Sequence, residues 1–251
     1  MKKLFALVAL CLPMTVFAAG AGIELDEHRT DLRDTASLQR GAQTFVNYCM
    51  GCHSLKHSRY NRVASDLGIP EELMMDNLVF ADKSFGDLMT IAMDPVDAKT
   101  WFGVAPPDLT LVARVRRPDW LYTYLRTFYE DPTRPYGVNN LAFPQVGMPH
   151  VLADLQGRQV IGTAQVAVGK DPLTNQDIME EQDHVLYIAE EGQLTEAEYD
   201  KLVYDLVNFL VYVAEPIALE RERLGFWVLL FLAFFFIPVY FMNKEFWRDV
   251  K

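Results

Sequence analysis

Cysteine is nearly absent from this chain, with three in 251 residues. So few thiols cannot staple a small extracellular scaffold. Positive charge is also short: 23 Lys and Arg stand against 34 Asp and Glu, for a formal net charge of −11. Nucleic acid and anionic lipid are therefore poor partners, whereas a basic protein is a favoured one. Internal repeats and low-complexity tracts are missing too. That leaves one large domain, or a domain with an inserted lobe, as the expected organisation.

Two long apolar runs stand out against this background. The first, Leu4 to Val16, follows Lys2 and Lys3 and is succeeded by small residues, the three-part pattern of a secretory signal with a cut expected after Ala18. Cys11 would leave with it. The second, Leu224 to Met242, contains no charged residue, and at about 1.5 Å per residue it spans roughly 29 Å, the depth of a bilayer's hydrocarbon core. Trp227, Tyr240 and Trp247 are placed like interfacial aromatics, and Lys244, Arg248 and Lys251 follow. The expected division is a cleaved signal over 1–18, an exported domain over 19–223, an anchor over 224–242 and a cytoplasmic tail over 243–251.

Within the exported part, Leu38, Ala42, Phe45, Val46 and Cys49 recur at helical spacing behind Ser37, a plausible cap. Pro70 can open a short helix. Residues 94–110 carry three prolines and no period, which predicts an ordered loop burying Trp101 and Phe102. A helix is expected over about 118–129, then an irregular stretch to His150. Val160, Ala164, Val166 and Val168 alternate with polar residues, which predicts a small β-hairpin on an insertion. Thr195 and Glu198 form a capping-box pattern at the head of a long helix. The fold class is therefore mainly α with long irregular loops.

The two remaining thiols lie together in "YCMGCHSL". In C-x-x-C-H, Cys49 and Cys52 can add to the two vinyl groups of one haem while His53 lies under the iron. A dithiol redox pair is the competing reading in an oxidising compartment. A sixth ligand is then needed for electron transfer, and ten methionines compete for it. Met1, Met14 and Met242 lie in the signal or anchor, Met50 lies inside the attachment loop, and Met74, Met75 and Met89 look like core. Met148 sits between Gly147, which permits close approach, and Pro149, which stiffens the loop; Met93 and His150 are the alternatives. His53 should give its other ring nitrogen to a carbonyl, with Pro106 and Pro107 as candidates. Arg114, Arg116 and Arg117 could meet the propionates.

These segments, "RGAQTFVNYCMGCHSLKHSRY", "APPDLTLVARVR", "YGVNNLAFPQVGMPH" and "VNFLVYVAEPIALERERLG" followed by one anchor, resemble the cytochrome c1 family, proteobacterial type. The resemblance spans nearly the whole exported chain. It implies one covalent haem c on Cys49 and Cys52, with His53 and Met148 as axial ligands. Pro107, in the Pro-Pro-Asp-Leu segment, would lie on the histidine side, Arg116 would meet a propionate, and an aromatic such as Tyr122 would meet the haem edge. Family members often read Met-Ala-Pro or Met-Pro-Pro at the ligand loop, and this chain has Met-Pro-His.

The function implied is one-electron transfer from the Rieske iron–sulfur protein through the haem to a cytochrome c, within a dimeric quinol:cytochrome c oxidoreductase that also contains cytochrome b. On that reading the chain is no enzyme by itself. It would sit in the inner membrane with its haem domain in the periplasm and its carboxyl end in the cytoplasm. A free-standing tethered cytochrome feeding a terminal oxidase is the alternative, and a peroxide-active haem protein is a more distant one.

Overall fold

Asp34, not Ser37, starts the first helix. The structure is a computed structural model that describes residues 23–80, 82–172 and 174–249; the signal assigned to 1–18, Cys11 included, falls outside the described residues. In chain order the elements are α1 (Thr35–Thr44), β1 (Leu55–Arg59), α2 (Tyr60–Leu67), α3 (Glu71–Leu78), β2 (Leu88–Met89), α4 (Pro95–Phe102), α5 (Val112–Arg116) and α6 (Pro118–Arg126). Next come β3 (Phe128–Glu130), β4 (Val138–Asn140), α7 (Ala153–Gln156), β5 (Gly157–Lys170), β6 (Asp177–Glu191), α8 (Glu196–Ala214) and α9 (Ala218–Phe246). The described chain is mainly helical, and each strand pair is a separate two-stranded antiparallel ribbon.

The Asp34 carboxylate accepts from the Ser37 amide at 2.9 Å, the ordinary work of a helix cap. Ser37 is freed for a longer reach. Its hydroxyl donates to Asp205 on α8 at 2.6 Å and accepts from Asn208 at 2.9 Å. Arg40 meets the same buried carboxylate at 2.6 Å. A carboxylate withdrawn from water is tolerable only when its oxygens are satisfied in this way, so this network fixes where α1 crosses α8.

Gly41 lies at that crossing. A Cβ there would stand 2.1 Å from the Asp205 carbonyl oxygen and 2.6 Å from Phe209 Cβ. Neither neighbour is a flexible side-chain end. Gly41→Val is accordingly expected to cost about 3 kcal/mol by forcing the helices apart, read as a fall in thermal midpoint of the detergent-solubilised protein. An unchanged midpoint would show that the helices do not touch there.

Around this crossing Leu38, Ala42, Phe45, Val46, Leu206, Phe209 and Val213 form the centre of one core, joined by Leu55, Tyr60, Val63 and Leu67 from β1 and α2. The spacing along α1 was legible. Thr195 and Glu198 do form a reciprocal capping box on α8. Other expectations need correction. Residues Pro95–Phe102 form a helix capped by the Asp94 carboxylate, and Trp101 is 61% exposed rather than buried. The irregular stretch to His150 contains the β3–β4 ribbon. The hairpin is not small: its strands run 14 and 15 residues.

The α8 helix ends at Ala214, Pro216 interrupts the path, and α9 begins at Ala218. No residue of α9 is buried against the rest of the chain. Its most apolar 18-residue stretch has a mean hydropathy of 2.4, and the helix is long and apolar enough to cross a membrane. Pro238 sits inside it, as membrane helices allow.

Candidate functional site

The end of α1 delivers the first thiol through a widened turn. Phe45–Cys49 is a π-helical turn in which the Met50 amide bonds to the Phe45 carbonyl at 2.9 Å, a local under-winding that frequently marks functional positions. The chain then folds back on Cys49, whose carbonyl accepts from the Cys52 amide at 3.1 Å and the His53 amide at 2.9 Å. Both thiols and the imidazole thus belong to a single closed turn. Cys49 is buried and Cys52 half-buried, and both are free. Burial, helped by the neighbouring Cys52, pushes the Cys49 thiol up to about 12, so it is an uncharged thiol at neutral pH.

His53 is buried, and its Nδ1 lies 2.7 Å from the Pro107 carbonyl oxygen. That contact makes Nδ1 the protonated nitrogen and leaves Nε2 with its lone pair. Desolvation lowers the imidazole's pKa, opposed in part by the Pro107 bond and the Asp108 charge. The ring is therefore neutral, the form that binds metal.

The loop carrying Pro107 is tied to the attachment turn on its far side. Leu109 donates its amide to the Ser54 carbonyl at 3.0 Å, and Asp108 accepts from the Lys56 amide at 2.7 Å. Asp108 also accepts from the Thr110 amide at 3.1 Å, a short side-chain turn that fixes its direction. A proline cannot donate, so the carbonyl of Pro107 projects from a stiff segment.

Met148 lies in a loop held by other means. Arg134 donates to the Gln145 carbonyl at 2.9 Å and to Val146 at 3.4 Å. Asn139 accepts from the Gln145 amide at 2.8 Å. Gln145 itself adopts a left-handed φ of 62°, a conformation that costs on the order of 1 kcal/mol in a non-glycine residue and needs such support. Tyr124 then donates its hydroxyl to the Met148 sulfur at 3.4 Å. Burial raises the pKa of this phenol far above its ordinary value, so it remains a donor.

The other candidate ligands lie in different surroundings. Met74 and Met89 are core, and Met50 accepts from the Tyr60 hydroxyl at 3.6 Å. Met93 is half-buried in the irregular chain after β2. His150 stacks on Phe128 with centroids 4.8 Å apart and directs Nε2 to Gln156 at 2.7 Å.

Arg117 is the only residue between α5 and α6, at φ 74° and ψ 151°, a region normally left to glycine. This sharp joint folds Arg116 back over Trp120, with the guanidinium carbon 5.0 Å from the ring centre and 5.7 Å from that of Phe143. Arg116 is exposed and has no ion-pair partner among the described residues. Its charge is thus available to an anionic group. Trp120 stacks on Tyr124 at 4.8 Å.

Tyr122 is placed elsewhere. Two residues along a helix turn roughly 200°, so it points away from Trp120 and Tyr124. It packs edge-on to His28 at 5.5 Å and lies under the Arg126 guanidinium at 4.7 Å. Arg126 in turn pairs with Asp200 and Asp26. The aromatic beside the Met148 sulfur is Tyr124, which sequence reading passed over as part of a helix face; the signal was its four-residue spacing from Trp120.

Two thiols in one turn and a neutral imidazole with Nε2 to offer, with the Met148 thioether and the unpaired Arg116 guanidinium elsewhere in the fold, are residues of the kinds that fit a metal whose equatorial ligands come from a porphyrin. Among the described residues no group of three or more His, Cys, Asp or Glu converges as an all-protein metal site would require.

A model of the Cytochrome C1 family matches residues 27–167 and 172–250. Cytochrome c1 of Allochromatium vinosum is 54% identical over 251 residues, which cover 99% of each chain. The ammonia monooxygenase gamma subunit of Nitrosomonas europaea is 43% identical over 252 residues, covering all of this chain and 99% of that one. Cytochrome c1 of Rhodospirillum rubrum is 28% identical over 240 residues, 87% of this chain and 83% of its own.

Proposed function

The chain belongs to the cytochrome c1 family, and on that premise we propose that it passes single electrons from a Rieske iron–sulfur protein, through one haem attached at Cys49 and Cys52, to a cytochrome c. It is an electron-transfer subunit of the quinol:cytochrome c oxidoreductase and not a catalyst alone. The observation that carries the site assignment is the 2.7 Å contact of His53 Nδ1 with the Pro107 carbonyl. It fixes the tautomer and the ring plane, and so supports Nε2 as the nitrogen that would serve as proximal ligand.

When bound, the haem supplies a reversible one-electron iron couple. Everything else is done by the chain. Cys49 and Cys52 would hold the group by thioether bonds within a turn that cannot open without breaking two backbone hydrogen bonds. Met148 would supply the second axial ligand from a loop that Arg134 clamps, and a thioether favours the ferrous state. Arg116 would neutralise a propionate, with Trp120 and Phe143 backing its guanidinium.

Cytochrome b and the Rieske protein are the partners in the membrane. The cytochrome c acceptor, the dimeric state and the periplasmic placement complete the proposal. The orientation is supported by the basic residues that follow the apolar run, Lys244, Arg248 and Lys251, which favour the cytoplasmic side. The exported unit would run from 19 to 223, the anchor from 224 to 242 and the tail from 243 to 251.

Gentle detergent extraction followed by affinity capture of this chain tests the assignment. A red preparation whose chain retains haem on a denaturing gel, isolated with cytochrome b and an iron–sulfur protein, is the expected result. A lone red chain would indicate the free-standing alternative. Co-isolation with ammonia monooxygenase would assign the chain to the other similar protein's complex, and a mature polypeptide of unmodified mass would end the haem reading.

A further inference from the structure

Among the described residues, the hydroxyl of Tyr124 is the hydrogen-bond donor that meets the Met148 sulfur, 3.4 Å away. Its position is over-determined. The ring stacks on Trp120 with centroids 4.8 Å apart and planes 9° from parallel, and Phe128 meets it edge-on at 5.1 Å. Its backbone carbonyl accepts from the buried Asn140 side chain at 2.7 Å. A phenol so confined cannot swing to solvent, and its hydroxyl faces the one thioether that the ligand loop offers.

Thioether sulfur has two lone pairs. When one is given to iron, the other can still accept a hydrogen bond. We propose that Tyr124 is a positioning residue that orients the Met148 side chain and raises the reduction potential of the site by drawing electron density from its sulfur. The deduction rests on Met148 being the axial ligand. A donor on the sulfur weakens its donation to iron, which the ferric state needs more than the ferrous state, so the couple shifts toward reduction. The geometry also joins this effect to the rest of the site: Arg116 caps Trp120, Trp120 stacks on Tyr124, and Tyr124 reaches the sulfur.

Tyr124→Phe in the full chain, purified in its complex, isolates the hydroxyl because the ring and its stack on Trp120 are retained. Redox titration is expected to show about a threefold fall in the ferrous-to-ferric ratio at a fixed ambient potential, a drop of about 30 mV for one electron. The weak near-infrared band of a Met-ligated ferric haem should persist. Tyr199→Phe serves as the control: its hydroxyl is buried and bonds the Leu125 carbonyl at 2.8 Å rather than the Met148 sulfur, so its potential should equal that of the parent. An unchanged potential in Tyr124→Phe overturns the proposal, as does an equal fall in both variants. Absence of the near-infrared band from the parent protein is a separate outcome, since it removes Met148 as ligand whatever Tyr124 does.

Discussion

Met148→Leu should leave the haem attached, abolish the near-infrared band of the ferric protein and lower the midpoint potential by on the order of 0.2 V, a fraction of the roughly 0.8 V range that axial ligands command. Leucine nearly matches methionine in volume, so the loop should keep its packing. The thioether is what is lost. At about 59 mV per tenfold change for one electron, such a fall displaces the equilibrium with the Rieske centre by roughly a thousandfold against reduction of this subunit. Turnover of the assembled complex should collapse while the thioether links at Cys49 and Cys52 survive. Redox titration, a ferric near-infrared spectrum and a haem-stained gel on one preparation separate these effects. A variant with parental potential and parental spectrum would transfer the ligand role to Met93 or His150.

The same loop explains what could be read from the sequence. Met148 stood out for its setting between Gly147 and Pro149 once Met1, Met14 and Met242 fell in the signal or the anchor, Met50 in the attachment loop, and Met74, Met75 and Met89 looked like core, with Met93 left open. The Cys49–Cys52–His53 turn was legible because covalent attachment needs contiguous residues, and chemistry of that kind survives without a three-dimensional context. Pro107 was legible only as one of two carbonyls, since choosing between adjacent prolines requires the path of the loop past His53.

The rest depended on contacts that sequence does not place. Ser37 was read as a cap because serine at a helix start usually is one. Asp34 takes that role, and Ser37 turns inward to a carboxylate 168 residues away. Nothing local announces such a partner. Tyr122 and Tyr124 differ by two positions on one helix, and only the phase of α6, set by the backbone joint at Arg117, decides which faces the ligand loop. Trp101 was expected to be buried for its size, yet the helix capped by Asp94 leaves it largely in solvent. Size predicts average burial, not the burial of one side chain.

Stopping the chain after Arg223 should convert a detergent-requiring protein into a water-soluble red one. Residues 224–242 contain thirteen Leu, Ile, Val and Phe, and at roughly 0.3 to 0.6 kcal/mol each the run favours the bilayer by about 4 to 8 kcal/mol. That is a partition of at least about a thousandfold, and deletion removes it entirely. The folded domain should not notice. No residue of α9 is buried against it, while the core, the Asp205 network and the loops around His53 and Met148 are all built from residues before 216. The polar opening turns of α9 remain in the shortened chain, with Arg221 still paired to Glu215. The truncated protein is therefore expected in the aqueous fraction after carbonate washing, with the parental potential and near-infrared band. A soluble product with an altered potential would mean that the anchor shapes the haem site, and a product still bound to membranes would locate the attachment in the exported domain itself.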